Sequence, residues 1–509
     1  MLHGYWCQES RNERSDDVSA GPPAASISLT SATLLLALLT GCTLSAPTYQ
    51  SPASPVAEVY SAAPAHDAGI PASQIRWQTY FSDPALRRLI ELALANNRDV
   101  RSALSRVQEM RAAYGIQRAD RLPTIAGSLD ATRTAVPGDL NVSGRPVVGS
   151  QFQLGVGFSS WEIDFWGRVS SLNAAALQSY LATDATRRAT ALSVITQVAN
   201  TYLALRETDE RLMLAQRTVA SRAKSLRIFR RRVDLGATSR LELTQVELLS
   251  QQAMALQAQL EHTRATQINA LTLLVGVPLQ LPLASEQFNA LPPLPELKAG
   301  LPSDLLLQRP DILAAEHSLQ AAQANMAVAR ATFFPRIALT AFAGTASAEL
   351  NGLFSSGSQA WTFSPSITLP IFDSGRREAV TEVARLRREQ AIAHYEQTVQ
   401  AAFRDVADAL AARYWLAAQD DIARETLKVQ AERARLAKLR YDHGSARYLE
   451  VLDAERDLLS SEQQLVQIRR ASLSAQVALF AALGGGIQFA DELSVSSVDP
   501  VSVPKNNQE

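Results

Sequence analysis

The sequence is poor in the residues that build metal and catalytic sites. Its 509 residues include two cysteines, Cys7 and Cys42, and six histidines, and no two histidines stand at metal-ligand spacing. Two cysteines cannot form the disulfide framework of a small secreted protein. No G-x-x-x-x-G-K-S/T loop is present to cradle a phosphate, and no nucleophile is paired with a base. We therefore expect no enzyme, no metal site and no cofactor.

The sequence also lacks an excess of charge of either sign. Its 49 Lys and Arg residues against 50 Asp and Glu give a formal net charge of -1, and no basic tract is present. The sequence therefore lacks the basic patch that nucleic-acid binding proteins use to contact phosphates. Apolar residues make up 47% and charged residues 19%, which is typical of a folded chain. Gly484-Gly485-Gly486 follows a helical run and is better explained as a helix stop than as a nucleotide site.

A short apolar run near the N-terminus, SLTSATLLLALLTGC at residues 28–42, has the length of a signal-peptide core. A bilayer-spanning helix needs about 20 apolar residues, so this run is too short to be one. LTGC resembles a bacterial lipobox, which predicts that Cys42 is lipidated and that Cys7 is removed. Residues 1–25 hold two arginines but four acids, so the usual positive n-region is missing and the true translation start stays open. The alternative is a buried helix with an incidental cysteine.

The chain is an internal duplication of a unit of about 200 residues. HGSARYLEVLDAERDL, residues 443–458, has a weaker copy at 235–249, and the offset of 208 is held from Gly236 and Gly444 to the end of each segment. FWGR at 165–168 matches DSGR at 373–376 with the same offset. Further upstream the offset is 212, as between Pro123 and Pro335. We expect a loop in the interval where the four-residue difference arises.

Each unit predicts a helix, two strands and a long helical hairpin. The first helices are expected at 84–120 and 303–333, the second of them capped near Pro302-Ser303-Asp304. From about Arg168 to Asp234, and again from Arg376 to Tyr441, there is no proline, so each stretch would extend about 98 Å as one helix. Apolar residues three and four apart indicate coiled-coil-like seams. Gly236 and Gly444 are then the hairpin turns.

The strand segments have one apolar and one polar face. In WTFSPSITLP the residues of one parity are Trp361, Phe363, Ile367 and Leu369, and QFQLGVGF has the same alternation at Phe152, Leu154, Val156 and Phe158. The partner segments, LPTIAGSLDATRT and FPRIALTAFAG, alternate less cleanly. Four strands are too few to close a barrel, and open edges are not tolerated in a membrane. We therefore expect several copies to join in a ring.

These patterns divide the chain into six segments. They are a signal peptide at 1–41, a lipidated tether at 42–75, the first repeat at 76–285, a linker at 286–302, the second repeat at 303–486, and a C-terminal tail at 487–509 that we expect to be disordered. The predicted fold class is α+β: a long antiparallel coiled-coil-like helical barrel and a four-stranded contribution to a trimeric transmembrane β-barrel.

The chain after Cys42 resembles the TolC/OprM-type outer-membrane efflux factors, in their lipid-anchored, NodT-like branch. The resemblance is carried by the lipobox, the duplicated hairpin units and the pattern G-x5-(D/E)-x2-D at Gly444, Glu450 and Asp453. It implies a homotrimer that shares a twelve-stranded barrel in the outer membrane and continues as a helical tunnel across the periplasm. The implied partners are a periplasmic adaptor (membrane fusion) protein and an inner-membrane pump of the RND type.

The resemblance also assigns residues near the hairpin turns. It implies a channel constriction formed by Asp453, Leu449 and Glu450, and gating links formed by Tyr441, Arg456 and Glu242. The pattern departs at Ala446, where some relatives have an arginine. Without the resemblance, the simpler interpretation of acids at this spacing is that they lie on a solvent-exposed helix face and form ion pairs with residues four positions away.

Two functions compete for this sequence. The first is a passive export duct in the outer membrane, without catalysis, whose energy comes from a partner pump. The alternative is a lipid-anchored periplasmic coiled-coil rod that serves as a structural or adaptor protein. The alternating strands favour the duct, because a rod has no use for WTFSPSITLP. The exported substrate cannot be read from the sequence.

Overall fold

The computed structural model describes residues 52–53, 55–57, 69–71, 75–283, 288, 291–298, 300, 306 and 308–485. Several predictions fall outside these residues: the signal peptide, Cys42 and its lipid, most of the tether, the cap at Pro302-Ser303-Asp304, and the tail at 487–509.

Both repeats contain a helix, two strands and two long helices in that order, and the first repeat has one further helix before them. A two-residue strand and a short helix come first, β1 (Ile70–Pro71) and α1 (Trp77–Tyr80). The first repeat then contains α2 (Pro84–Asn96), α3 (Arg98–Ala119), β2 (Ala126–Val136), β3 (Val147–Glu162), α4 (Arg168–Asp234) and α5 (Arg240–Val275). After β4 (Leu297–Lys298), the second repeat contains α6 (Pro310–Ala331), β5 (Arg336–Ser347), β6 (Gln359–Thr368), α7 (Arg376–Asp442) and α8 (Tyr448–Ala482).

The two long helices confirm the prediction made from the proline-free stretches. α4 and α7 have 67 residues each, which corresponds to about 100 Å of helix. Each begins after a glycine with left-handed backbone, Gly167 and Gly375, and each ends before a hairpin turn. Among the described residues, no helix combines the length and the apolar character that crossing a membrane requires.

The prediction of one helix over 84–120 is wrong, because the helix breaks at Asn97. This residue has an extended backbone, and its side chain accepts hydrogen bonds from the N–H groups of Asp99 and Val100. Its amide also donates to the Leu274 carbonyl at 2.8 Å. In the second repeat Arg309 takes the same place before Pro310 and donates to the Ala482 carbonyl at 3.0 Å. At each break, therefore, a side chain forms a hydrogen bond with the last turn of a helical hairpin.

The four segments predicted as strands are strands, and they form one antiparallel sheet in the order β2-β3-β5-β6. Equivalent residue pairs of the two hairpins are offset by 212 in the first strand and 209 in the second, so that Leu129–Leu154 corresponds to Ala341–Phe363. The pairing of β3 with β5 shifts by one residue between Phe158 and Trp161. The offset between the repeats falls from 212 to 209 across the β2–β3 hairpin, where a loop was expected, and then from 209 to 208. We assign this last residue to the bulge in β3.

The long helices pack side by side in a fixed order. α8 packs against both α7 and α4, and α5 packs against α4, so α5 and α7 flank this layer. α6 lies between α4 and α7, whereas its equivalent α3 packs mainly against α4.

The largest buried cluster lies where the short N-terminal helices meet the end of α8. Tyr80 stacks on Phe480 with ring centroids 4.4 Å apart, and its hydroxyl donates to the Gln476 carbonyl at 2.8 Å. Burial raises the pKa of the Tyr80 phenol above its usual range, so it stays a neutral donor. The N-terminal segment also contacts the linker, because β1 and β4 form a parallel pair in which Ile70 lies opposite Leu297.

Candidate functional site: the two hairpin ends

Both hairpin turns are built in the same way around a glycine. Gly236 and Gly444 have φ of 72° and 73°, a left-handed conformation that favours glycine. The N–H after each glycine donates to a carbonyl five residues earlier, Ala237 to Arg232 at 2.8 Å and Ser445 to Arg440 at 2.9 Å. The structure therefore places both glycines in the turns where the repeat predicted them.

The helix after each turn starts differently in the two repeats. The Ser239 side chain caps α5 by accepting a hydrogen bond from the Glu242 N–H at 3.2 Å, and the Glu242 carboxylate accepts one from Thr238. At the equivalent turn, Arg447 provides no side-chain cap for α8, and Glu450 pairs with Arg440 at 3.0 Å. The second turn is therefore stabilised by an ion pair between the two helices of the hairpin rather than by a side-chain N-cap.

An aromatic cluster joins the two hairpins. The centroid of the Tyr448 ring lies 4.5 Å from that of Phe229 and 4.9 Å from that of Tyr441. The Tyr448 hydroxyl donates a hydrogen bond to Ser225 Oγ at 2.7 Å. Beside it, Phe229 is buried in a small apolar core with Val246 and Leu452, so residues of α4, α5 and α8 pack together. Burial raises the pKa of the Tyr448 phenol above its usual value.

Tyr441 is held by the other hairpin of the same chain. Its hydroxyl accepts a hydrogen bond from the Arg232 guanidinium, which also lies 5.9 Å from the Tyr441 ring centroid and 5.5 Å from that of Phe229. Sequence reasoning expected Tyr441 or Arg456 to contact Glu242. Within this chain Glu242 instead binds Thr238, and Tyr441 binds Arg232.

Asp453 belongs to a short chain of alternating charges on the exposed side of the second hairpin. Arg456 pairs with Asp453 at 3.2 Å and with Asp457 at 3.0 Å, and Asp457 pairs with Arg433 of α7 at 2.7 Å. Hydrogen bonds from Arg433 and Arg456 hold the pKa of Asp457 below its usual value. Leu449, one helical turn before Asp453, is 43% exposed. The predicted constriction residues are thus accessible, and Asp457 is a charge that the sequence did not single out.

Two ion pairs connect α4 with α8, each with one buried and one partly exposed member, and neither was predicted from the sequence. Arg222 is 3% exposed and lies 3.1 Å from Glu455, while Glu207 is 7% exposed and lies 3.0 Å from Arg470. Removing Glu455 would leave the buried Arg222 charge without this partner, whereas Glu207 also pairs with Arg211 at 3.0 Å. The only sequence signal was a charged residue on an otherwise Ala-rich helical seam.

The described residues offer no ligand set for a metal ion, because no three His, Cys, Asp or Glu side chains are grouped suitably among them. What the site provides is a pair of helical hairpin ends, joined by aromatic rings and ion pairs, with acids exposed beside them. Together with an open four-stranded sheet at the other end of the long helices, this is the architecture of a channel subunit.

Comparison with known proteins identifies the family. The family model described as "Outer membrane efflux protein" matches residues 89–277 and 301–485, one match in each repeat, and the chain belongs to this family. It is 41% identical over 456 residues to the solvent efflux pump outer membrane protein SrpC of Pseudomonas putida, covering 89% of this chain and 97% of SrpC. The outer membrane protein OprJ of Pseudomonas aeruginosa is also 41% identical over 456 residues, with coverage of 89% and 95%.

A solved structure agrees with the fold. The open state of the MtrE outer membrane channel of Neisseria gonorrhoeae superimposes with a TM-score of 0.80 at 38% identity, over 88% of this chain and 99% of MtrE. The protein is therefore an outer-membrane efflux channel component, as the resemblance implied, and the coiled-coil rod is set aside.

Proposed function

We propose that three copies of this chain form one passive export duct, with the hairpin ends as its closable inner mouth. The observation that carries this proposal is the open four-stranded sheet, whose outer strands expose a row of apolar side chains. Trp361 of β6 is 78% exposed and Ile367 is 71% exposed. A lone sheet with such edges is not stable in a membrane, whereas joined copies leave no edge.

The flanking helices support the same assembly. On α7 four of the exposed apolar residues recur every seven positions, the heptad spacing of a coiled-coil seam, and α5 begins with two more at this spacing. They are Trp415, Ile422, Val429 and Leu436 on α7, and Leu241 and Leu248 on α5. Because α5 and α7 flank the helical layer, a second copy can cover each of these stripes.

The proposed constriction is a ring of acids at the mouth. Three copies of Asp453, with Leu449 and Glu450 beside them, would face one axis and attract cations. Arg456 limits this charge in the single chain by pairing with Asp453. The gating links are the contacts that hold Tyr441, Arg456 and Glu242, which must rearrange when the hairpins move apart.

The test of this ring is the ion selectivity of single channels in a salt gradient. Asp453→Ala should lower the preference for cations, because it removes three charges from the narrowest point. Glu425→Ala is the matched control, since Glu425 is an exposed acid of α7 that pairs with Lys428, well away from the turn. Unchanged selectivity in Asp453→Ala, or an equal change in both variants, would reject the ring.

The proposed partners are those that the resemblance to the efflux factors implies, and the names of the relatives support the pump among them. SrpC is named as the outer membrane protein of a solvent efflux pump, and we carry over only the partnership with a pump. The duct would dock an adaptor protein and an RND-type inner-membrane pump at its periplasmic end, and it would need no cofactor. A lipid on Cys42 would anchor each chain, so Cys42→Ser should abolish labelling by radioactive palmitate.

A further inference from the structure

A groove of about 890 Å³ runs along one side of the helices near the sheet. Successive helices pack in the order α3-α4-α6-α7, and all four contribute side chains to the groove. Four helices in one layer can line a single groove only if the layer curves around it. The groove therefore marks the concave face of this layer.

The internal repeat shows that the same face is concave in both halves of the chain. Ser179 of α4 and Arg387 of α7 are equivalent at the offset of 208, and both line the groove. Met110 of α3 and Ala322 of α6 are equivalent at the offset of 212, and they line it as well. In the ring of copies proposed above, a concave face that both repeats share faces the axis of the duct.

The wall of the groove between α6 and α7 offers an apolar surface. Ala329 of α6 lies there with Val380 and Val383 of α7, and both valines are partly exposed. The hydroxyl groups along the wall donate their protons to carbonyls of their own helices, so these protons are not offered to a solute. These bonds run from Ser179 to Ala175, Thr183 to Ser179, Thr186 to Ala182, Ser318 to Ala314 and Thr332 to Ala329.

The charge of the groove is of one sign. Arg376 and Arg387 line it and are exposed, and no Asp or Glu of the described chain lies along it. Within α7, acids three or four positions away would be the natural partners of Arg387. Those positions hold Val383, Ala384, Gln390 and Ala391, so the helix supplies no such acid.

Arginines on the other faces of α7 are paired with acids. Arg377 lies 2.7 Å from Asp373, and Arg385 lies 2.6 Å from Glu382. The equivalent of Arg387 in α4 is a serine, so the packing of a long helix does not require a cation at this position. Arg387 is therefore better explained by what the groove binds than by the stability of the helix.

We propose that this groove binds an anionic amphiphile. Arg387 would hold the anionic head group, because a guanidinium binds sulfate, phosphate or carboxylate oxygens through charge-assisted hydrogen bonds. The alkyl tail would lie on the apolar wall and leave water. Arg376, about 16 Å along α7 toward the sheet, provides a second cation on the same path. The groove is complete within one chain, whereas its role as a station for exported amphiphiles rests on the proposed duct.

The test is isothermal titration of the full-length protein, in nanodiscs of zwitterionic lipid, with octyl sulfate. Heat from empty nanodiscs is subtracted. Arg387→Gln should weaken binding about tenfold, because a hydrogen bond to a charged group is lost. Arg385→Gln is the matched control, since it removes the same charge from another face of the same helix. It should change the dissociation constant by less than about twofold.

The head group and the tail are tested separately with inorganic sulfate and octanol. Each should bind the parent more weakly than octyl sulfate does, because each lacks one of the two contacts. Val383→Gln should weaken the binding of octyl sulfate about threefold, because it removes apolar surface from the wall. The same variant should leave the binding of sulfate unchanged.

Equal weakening by Arg387→Gln and Arg385→Gln, or no weakening by either, would overturn the head-group site. Sulfate or octanol that binds as tightly as octyl sulfate would overturn the assignment to an amphiphile. A parent protein that conducts ions in planar bilayers but does not bind octyl sulfate would refute the groove and leave the duct standing. Binding with the expected pattern but without conduction would refute the duct alone.

Discussion

Replacing Tyr448 by Phe tests whether the two hairpins are held together by a bond that opening must break. The Tyr448 hydroxyl donates to Ser225 Oγ at 2.7 Å and so links α8 to α4. A neutral hydrogen bond of this kind contributes about 1 kcal/mol net, which is about a fivefold change in a two-state ratio. Tyr448→Phe keeps the ring against Phe229 and removes only this bond. We therefore expect the ratio of open to closed channels to rise about fivefold.

The assay is the open probability of single channels in a planar bilayer. Ser225→Ala removes the same bond from the other side, so it should act alike, and the double variant should add little to either single one. Tyr414→Phe is the control, because Tyr414 is an exposed tyrosine of α7 far from the turn. The reasoning is refuted if both single variants open as the parent does, or if their effects add fully.

Two further predictions concern stability. Arg433 depresses the pKa of Asp457, so the stabilisation from Asp457 is present above its unfolded value of about 4 and is lost as the pH falls through the lower folded value. Arg433→Gln should therefore move the acid-unfolding midpoint, followed by circular dichroism, to higher pH, and an unchanged midpoint would contradict this. A methyl group at Gly344 would overlap the Leu154 carbonyl oxygen in the neighbouring strand, so Gly344→Ala should cost about 1–3 kcal/mol and lower the melting temperature. Gly149→Ala, where no atom is near, should melt as the parent does.

The parts of the fold that could be predicted are those that depend on local pattern. The stretches without proline predicted the two 67-residue helices, and the alternation of apolar and polar residues predicted the strands. The turns at Gly236 and Gly444 followed from one repeated glycine, because a left-handed turn favours that residue.

The parts that could not be predicted depend on contacts between distant residues. Asn97 is a residue type that often begins helices, but the helical pattern continues on both sides of it. Its contact with the Leu274 carbonyl, at the end of another hairpin, could not be predicted from the sequence. The partner of Tyr441 is Arg232, more than 200 residues earlier. Arg222 has the sequence context of a solvated charge, yet it is buried against Glu455.

The most direct test of the account is the mass of the complex extracted from outer membranes in a mild detergent, measured by native mass spectrometry. Closure of the sheet by joined copies predicts a particle of three chains that keeps its mass when diluted. A stable particle of a single chain, with the same sheet intact, would contradict the account.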